Sequence, residues 1–194
     1  MNPSQALTQF LPRILTPAEM RAERDRLHAV GRTLVFTNGC FDILHRGHAD
    51  YLAFARSQGD ALVVGLNSDA SVRRAKGPTR PVNPEQDRAY VLGSLRVVDF
   101  VVIFDEDEPR NLISQILPDV LVKGKDWAHY VSGREIVEAN GGRVVLAEQP
   151  GRGIAGKVGR QLRDRSPGAP SLVPPCAKAA ASSPSNVPTP RLGG

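Results

Sequence analysis

Residues 33–55, TLVFTNGCFDILHRGHADYLAFA, decide the fold because three structural signals follow one another in this stretch. Its first five residues are apolar or β-branched, which is typical of a buried strand. Asn38 and Gly39 then favour a sharp turn and a close approach of the backbone to a ligand. The segment HRGH at 45–48 opens a helix with apolar Tyr51, Leu52 and Ala55 on one face. The stretch therefore predicts a strand, a glycine turn and a helix N-terminus in succession.

A helix that starts behind a strand and a glycine turn favours anions, because its free N–H groups and its dipole both attract negative charge. His45 and His48 are three residues apart, so they lie on one face of the first helical turn and can bind one ligand. The spacing also suits a metal, but the third ligand that a zinc site needs is not nearby in the sequence. The ordinary alternative to a ligand-binding pair is a histidine that only caps the helix. The complete string from Gly39 to His48 favours an anion site.

The charge of the chain is concentrated at one end. The 194 residues suffice for one well-buried domain with extensions, and their formal net charge is +5. Residues 151–194 hold seven basic residues against one acid, so residues 1–150 have a net charge of −1. The basic segment has no aromatic residue on which bases could stack. We therefore expect no nucleic-acid partner.

Cysteine content and hydropathy indicate an ordinary intracellular protein. Cys40 and Cys176 are far apart in dissimilar settings, which does not suggest a disulfide framework, and Cys40 is expected to be a small packing residue. No apolar run is long enough to span a membrane, and the N-terminus lacks the pattern of a signal peptide. We expect a soluble, cytoplasmic protein with no membrane partner.

Three regions differ in composition. Residues 1–31 are interpreted as an N-terminal extension that is irregular over residues 1–16. A charged helix follows, which a Thr16–Glu19 capping box and Pro17 introduce. Residues 32–150 form the predicted domain. Residues 151–194 form a divergent basic tail rich in proline and serine, and from Ser166 onward we expect disorder.

The predicted domain is an α/β fold. Four further buried strands follow the first, at 61–66, 99–104, 120–122 and 143–147, and helical segments separate them. The segment 73–84, RRAKGPTRPVNP, is predicted to be a loop, and the acidic run 105–108 is predicted to open a helix. Strands that alternate with helices imply parallel pairing and right-handed crossovers. We predict a Rossmann-like open parallel five-stranded sheet with helices on both faces.

Polar residues follow several of these strands, at the edge where open α/β sheets bind ligands. Asn67 and Asp69 follow the second strand, and Lys123 begins a KGKD segment after the fourth. Lys76 and Arg80 lie in the predicted basic loop, where they could reach a phosphate. A helix cap, an ordinary polar turn and a solvated loop are the structural alternatives for these segments.

The string Gly39-x-Phe41-Asp42-x-x-His45-x-Gly47-His48 resembles the HxGH signature of the cytidylyltransferase-like nucleotidyltransferases. With NSDAS, KGPTRPVNP, VLVKGKDW and VEANGGRVV, the chain from 33 to 146 resembles the ADP-heptose-forming adenylyltransferases within this family. The resemblance implies transfer of AMP from ATP to heptose 1-phosphate, with release of pyrophosphate, for cell-surface polysaccharide synthesis. In many bacteria this activity is fused to a sugar kinase, and we expect the stand-alone transferase here.

The resemblance also implies which residues form the site. The catalytic set is His45, His48 and Lys76. The nucleotide-binding set is Thr37, Asn38, Gly39, Phe41, Asp42, Gly47, Lys123, Gly124 and Asp126. The substrate-binding set is Asn67, Asp69, Arg80 and Arg88. ATP is expected with Mg²⁺, without a dedicated set of protein metal ligands. Assembly into a homo-oligomer is left open.

Two other functions remain open at this point. One is a cytidylyltransferase that acts on a polyol or amino-alcohol phosphate. The other is a catalytically impaired nucleotide-binding protein, because the segment 151–156, GRGIAG, has no hydroxyl where the family places a Gly-x-Ser-Thr-Thr-like turn. A frameshifted C-terminus would explain that segment and the low-complexity tail together. The match through NSDAS and KGPTRPVNP leads us to expect ATP rather than CTP.

Overall fold

The computed structural model describes residues 11–148, which contain five strands and six α-helices. The strands are β1 (Leu34–Gly39), β2 (Ala61–Asn67), β3 (Phe100–Phe104), β4 (Val120–Gly124) and β5 (Arg143–Ala147). The helices are α1 (Pro17–Ala29), α2 (Arg46–Arg56), α3 (Asp69–Lys76), α4 (Glu85–Gly93), α5 (Arg110–Ile116) and α6 (Arg134–Ala139). A short 3₁₀ helix covers Lys125–Trp127. The predicted tail at 151–194 lies outside the described residues.

The five strands form one parallel sheet in the order β3-β2-β1-β4-β5. The chain moves outward from β1 through β2 to β3, and then returns to the other side of β1 for β4 and β5. This reversal places a switch point between β1 and β4, where open α/β sheets form a crevice at their carboxyl ends. The predicted Rossmann-like parallel five-stranded sheet is confirmed.

Helices cover both faces of the sheet, because each face of the buried strands is apolar. Met20, Leu112 and Val137, from α1, α5 and α6, belong to one core cluster. Leu52 and Leu92, from α2 and α4, belong to the cluster on the opposite face. The helix α2, which begins beside the HRGH segment, is therefore fixed to the sheet by its apolar side.

The N-terminal helix begins as the sequence predicts. Thr16 accepts a hydrogen bond from the Glu19 N–H, and the Glu19 carboxylate accepts one from the Thr16 N–H, so the capping box is confirmed. Within residues 11–148 no helix is long and apolar enough to cross a membrane.

Two sequence-based assignments differ from the structure. The loop predicted at 73–84 begins later, because α3 continues to Lys76 and ends at Gly77, which has a φ of +93°. Residues 73–76 are good helix formers and the first proline of the segment is Pro78, so helix propensity prevails up to Gly77. Residues 13–15, predicted to be irregular, pair with β3 through hydrogen bonds to Val101 of 2.9 and 3.0 Å.

The packing of β1 leads to a stability prediction. Phe36 is fully buried in the central strand, so Phe36→Ala should lower the free energy of unfolding by about 3–5 kcal/mol. Phe54 lies on α2 and is 38% exposed, so Phe54→Ala should cost about 1 kcal/mol or less. Urea unfolding of both variants measures the difference, and equal losses would contradict the assignment of Phe36 to the core.

Candidate active site

His45 caps the N-terminus of α2 with its own ring. Its backbone is extended, with φ −149° and ψ 172°, and its Nδ1 accepts a hydrogen bond of 3.0 Å from the Gly47 N–H. In a neutral imidazole the nitrogen that accepts carries no proton, so Nε2 of His45 is the N–H donor. This Nε2 is buried and has no hydrogen-bond partner within residues 11–148. The cap thus fixes both the orientation of the ring and the identity of its donor.

The cap changes one part of the predicted anion site. The Gly47 N–H, expected to face the ligand, is occupied by the His45 ring. The donor presented at this point is His45 Nε2, a side-chain atom, instead of the backbone of the first helical turn.

His48 is held against His45 and Phe41. The His45 and His48 rings stack with centroids 4.0 Å apart and an interplanar angle of 26°. The Phe41 ring meets His48 edge-on, with centroids 5.3 Å apart. Burial, with electrostatic contributions from His45 and Lys76, lowers the pKa of His48 to about 4. His48 is therefore neutral at pH 7, and its buried Nδ1 has no partner within the described range.

The turn between β1 and α2 is shaped by Gly39 and Phe41. A Cβ at Gly39 would lie 3.0 Å from Cε2 of Phe41, so the ring covers the glycine closely. Phe41 adopts a left-handed backbone, with a φ of +40°, which is unusual for a residue other than glycine. Asn38, just before the turn, holds a third buried atom without a partner among residues 11–148, its Oδ1.

Two lysines approach this turn from different elements. Lys76 is exposed at the end of α3, close enough to His48 to lower its pKa. Lys123 is half-buried at the end of β4, and its burial lowers its pKa to about 8, against the raising effect of Asp126 and of Glu108. Gly124 then ends β4 and begins the 3₁₀ helix. The histidine pair and both lysines therefore lie at the carboxyl edge of the sheet.

Asp42 fastens the segment between α3 and α4. Its carboxylate is buried and accepts hydrogen bonds from the backbone N–H groups of Val82, at 2.7 Å, and Asn83, at 3.2 Å. Arg80 forms an ion pair with the other carboxylate oxygen. Asp42 and Arg80 are thus engaged with each other in this structure, and their predicted contacts to nucleotide and substrate stay predictions.

Arg88 joins three segments at the sheet edge. Its guanidinium is buried and donates to the carbonyls of Asn83, Cys40 and Asn67, at 3.0, 2.6 and 2.9 Å. It also forms an ion pair of 2.7 Å with Asp69. The side chain of Asn67 donates to Ser71 at 2.9 Å. These three predicted substrate ligands therefore hold the frame of the site, and their contact with a substrate stays a prediction.

Thr37 is also engaged within the fold. Its hydroxyl lies 2.7 Å from the Tyr51 hydroxyl, which donates to the Val122 carbonyl at 3.2 Å. Because Tyr51 donates its proton to Val122, Thr37 is the donor to Tyr51. Burial raises the pKa of Tyr51 to about 12, so this phenol stays protonated. The chain of hydrogen bonds ties α2 to β1 and β4 directly beneath the histidines.

Sequence reasoning missed two groups at this edge. Tyr51 was assigned only to the apolar face of its helix, although its hydroxyl needs a partner when the ring is buried. Glu108 was assigned to a helix start, yet its carboxylate accepts hydrogen bonds from Tyr130 and Ser132. Its distance in sequence from both partners left no local signal for these contacts.

The role of Arg88 gives a testable prediction. Arg88→Ala removes a buried cation and leaves Asp69 and three carbonyls without a donor, so the free energy of unfolding should fall by about 3–5 kcal/mol. Arg74 also pairs with carboxylates, but it is exposed, so Arg74→Ala should cost about 1 kcal/mol or less. Denaturant unfolding distinguishes the two. A fully stable Arg88→Ala protein would show that Arg88 does not hold the frame.

The low pKa of His48 predicts a pH dependence of stability. The folded pKa of about 4 lies below the ordinary value of 6.5, so between these values the unfolded chain binds more protons than the folded one. Stability from this group is therefore complete above about pH 6.5 and is lost as the pH falls towards 4. His48→Gln should make the fall in melting temperature over this window shallower, and an unchanged slope would contradict the burial of His48.

Comparison with known proteins places this geometry in a family. The chain is 57% identical over 119 residues to the bifunctional protein HldE of Syntrophotalea carbinolica, covering 61% of the chain and 24% of that protein. It is 48% identical over 159 residues to HldE of Azorhizobium caulinodans, covering 78% of the chain and 32% of that protein. The chain thus spans between about a quarter and a third of these relatives.

Solved structures agree with the fold. A lipopolysaccharide core biosynthesis protein from Thermoplasma volcanium matches with a TM-score of 0.54 and 28% identity, over 62% of this chain and all of that one. A pantoate-β-alanine ligase from Francisella tularensis matches with the same TM-score at 15% identity, over 73% of this chain and 69% of that one, which supports the fold alone. The cytidylyltransferase-like family model matches residues 36–158. The predicted resemblance is confirmed: the chain belongs to the cytidylyltransferase-like family of nucleotidyltransferases.

Proposed function

We propose that this enzyme transfers AMP from ATP to a sugar 1-phosphate, heptose 1-phosphate, and releases pyrophosphate. The observation that carries the proposal is the pair of stacked histidines at the start of α2, with His45 Nε2 and His48 Nδ1 buried and without partners within residues 11–148. A buried polar atom without a hydrogen-bond partner destabilises the free protein. A ligand that supplies the missing partner removes this cost, and its binding is strengthened as a result.

The choice of a sugar phosphate as acceptor rests on the relatives. The chain is 57% identical over 119 residues and 54% identical over 132 residues to two proteins named HldE. The 28% identical structural neighbour is named as a lipopolysaccharide core biosynthesis protein. These names and the resemblance to the ADP-heptose-forming enzymes point to the same acceptor.

The proposed reaction is an in-line displacement at phosphorus. An oxygen of the sugar 1-phosphate attacks the α-phosphorus of ATP, the bond from that phosphorus to the bridging oxygen breaks, and pyrophosphate leaves with its electron pair. The protein supplies no nucleophile, so its work is to position the reactants and stabilise charge on the phosphate oxygens. His45 Nε2 is the first such donor, because its cap fixes the N–H at that atom.

The charges of the site suit this reaction. His48 is neutral at pH 7 and so contributes a hydrogen bond without a full charge in the free protein. Lys76 and Lys123 supply positive charge from the two sides of the turn. ATP enters as its Mg²⁺ complex, with the ion bound to phosphate oxygens. Within residues 11–148 no three His, Cys, Asp or Glu side chains group to hold a metal.

Pyrophosphate release tests the proposal directly. ATP and CTP are each offered with heptose 1-phosphate, other sugar 1-phosphates, and polyol or amino-alcohol phosphates. We expect release with ATP and heptose 1-phosphate, and much slower release with CTP. Equal or faster release with CTP would contradict the adenylyltransferase assignment. Binding of ATP without release from any acceptor would instead favour a nucleotide-binding protein that lacks turnover.

Two variants show in the same assay whether a loss of turnover comes from the site or from a loss of folding. His48→Ala removes a donor to the developing charge and should lower turnover by about 10²–10³-fold. Phe54→Ala truncates a partly exposed ring on the same helix and should leave turnover unchanged. Melting curves of both proteins serve as the control for folding. Normal turnover in His48→Ala would show that the site lies elsewhere.

A further inference from the structure

The segment between the 3₁₀ helix and α6, residues 128–133, is held by one carboxylate from a distant part of the chain. Glu108 Oε2 accepts hydrogen bonds from the Tyr130 hydroxyl at 2.8 Å and from the Ser132 hydroxyl at 2.9 Å. Glu108 follows β3, whereas this segment follows β4, and β2 and β1 lie between those strands. The carboxylate therefore joins two loops that emerge from opposite sides of the central strand.

The end of this segment is packed tightly against the helix that follows Glu108. Ser132 is buried, so its hydrogen bond to the exposed Glu108 is partly shielded from water. Gly133 has a φ of +85°, and a Cβ there would lie 2.6 Å from Cδ1 of Ile113 on α5. The backbone thus touches α5 one residue after the contact with Glu108. These two contacts set the path of the chain that leads away from Asp126.

The same carboxylate lies close enough to Lys123 to raise its pKa, against the effect of burial. The charged and titratable groups that act on Lys123 come from three elements: Asp126 from the 3₁₀ helix, Glu108 from the start of α5, and Cys40 from the turn after β1. Burial makes the charged form of Lys123 costly, and the negative charge of Glu108 offsets part of that cost. One side chain therefore holds residues 128–133 and influences the charge of Lys123.

We propose that Glu108 is a positioning residue of the nucleotide site, which fastens residues 128–133 through Tyr130 and Ser132 and supplies a negative charge near Lys123. The proposal rests on the proposed function, in which Lys123 neutralises a phosphate. Glu108 acts through the lysine and through the loop, and no contact of Glu108 with the substrate is required.

Two substitutions separate the two roles. Glu108→Gln removes the negative charge, although the amide oxygen can still accept a hydrogen bond. Tyr130→Phe removes one hydrogen bond to the carboxylate and leaves the charge in place. A change in the charge state of Lys123 should therefore follow only from the first variant. A loosened loop should follow from Tyr130→Phe, because in Glu108→Gln the amide oxygen remains an acceptor for both hydroxyls.

The experiment measures the affinity for ATP by calorimetry between about pH 7 and pH 9.5, a range around the Lys123 pKa of about 8. In the parent protein the affinity should fall as the pH rises through 8, because Lys123 loses its charge. In Glu108→Gln this fall should begin a few tenths of a pH unit lower. In Tyr130→Phe the affinity should be weaker at every pH, with the fall at the same position as in the parent.

Lys123→Met serves as the control, and the fall around pH 8 should disappear from its profile. If the Glu108→Gln variant unfolds, Ser132→Ala tests the loop role by the same measurement, with a uniform loss of affinity expected. The proposal is overturned if Glu108→Gln and the parent share one pH profile and one affinity, or if Tyr130→Phe shifts the fall as much as Glu108→Gln. Because binding is measured without an acceptor, loss of pyrophosphate release would count against the proposed function and not against this role.

Discussion

The site depends on the hydrogen bond from the Gly47 N–H to Nδ1 of His45. Through this bond the His45 side chain caps the N-terminus of α2. Because Nδ1 is the acceptor, the proton of the imidazole lies on Nε2. A histidine without such a cap would exchange between two tautomers and two ring orientations. The same ring then stacks on His48, whose burial keeps it neutral. One capping interaction thus prepares a donor, orients a second ring and leaves both directed at the carboxyl edge of the sheet.

The cap holds its position because the surrounding frame is built from buried polar groups. Arg88 joins the turn after β1, the end of β2 and the segment before α4 through carbonyl oxygens. Asp42 holds the same segment through backbone N–H groups. Each group would be costly to bury alone, and each is paired within the fold. The site residues are therefore of two kinds: those with atoms left for a ligand, and those whose atoms are used to place the others.

Sequence patterns predicted the framework well because it follows from local signals. The apolar runs fixed all five strands, and the capping box at Thr16 marked the first helix. The HxGH string placed both histidines at a helix start. Local patterns do not reveal contacts between distant segments, which is why the hydrogen bonds of Arg88 to three carbonyls and those of Glu108 to Tyr130 and Ser132 were not predicted. A capping histidine was one alternative that the sequence left open, since a histidine spacing does not show which nitrogen is occupied.

The central claim is that a nucleotide phosphate completes the hydrogen bonding of His45 Nε2 and His48 Nδ1. The direct measurement is long-range ¹H–¹⁵N NMR of the imidazole nitrogens, with and without a non-hydrolysable ATP analogue. The chain has four histidines, and His28, which contacts Asp119 before the start of β4, serves as the internal reference. We predict that free His45 shows a protonated Nε2, and that the analogue shifts the His45 and His48 nitrogens far more than those of His28. Unchanged His45 and His48 resonances at saturating analogue would contradict it.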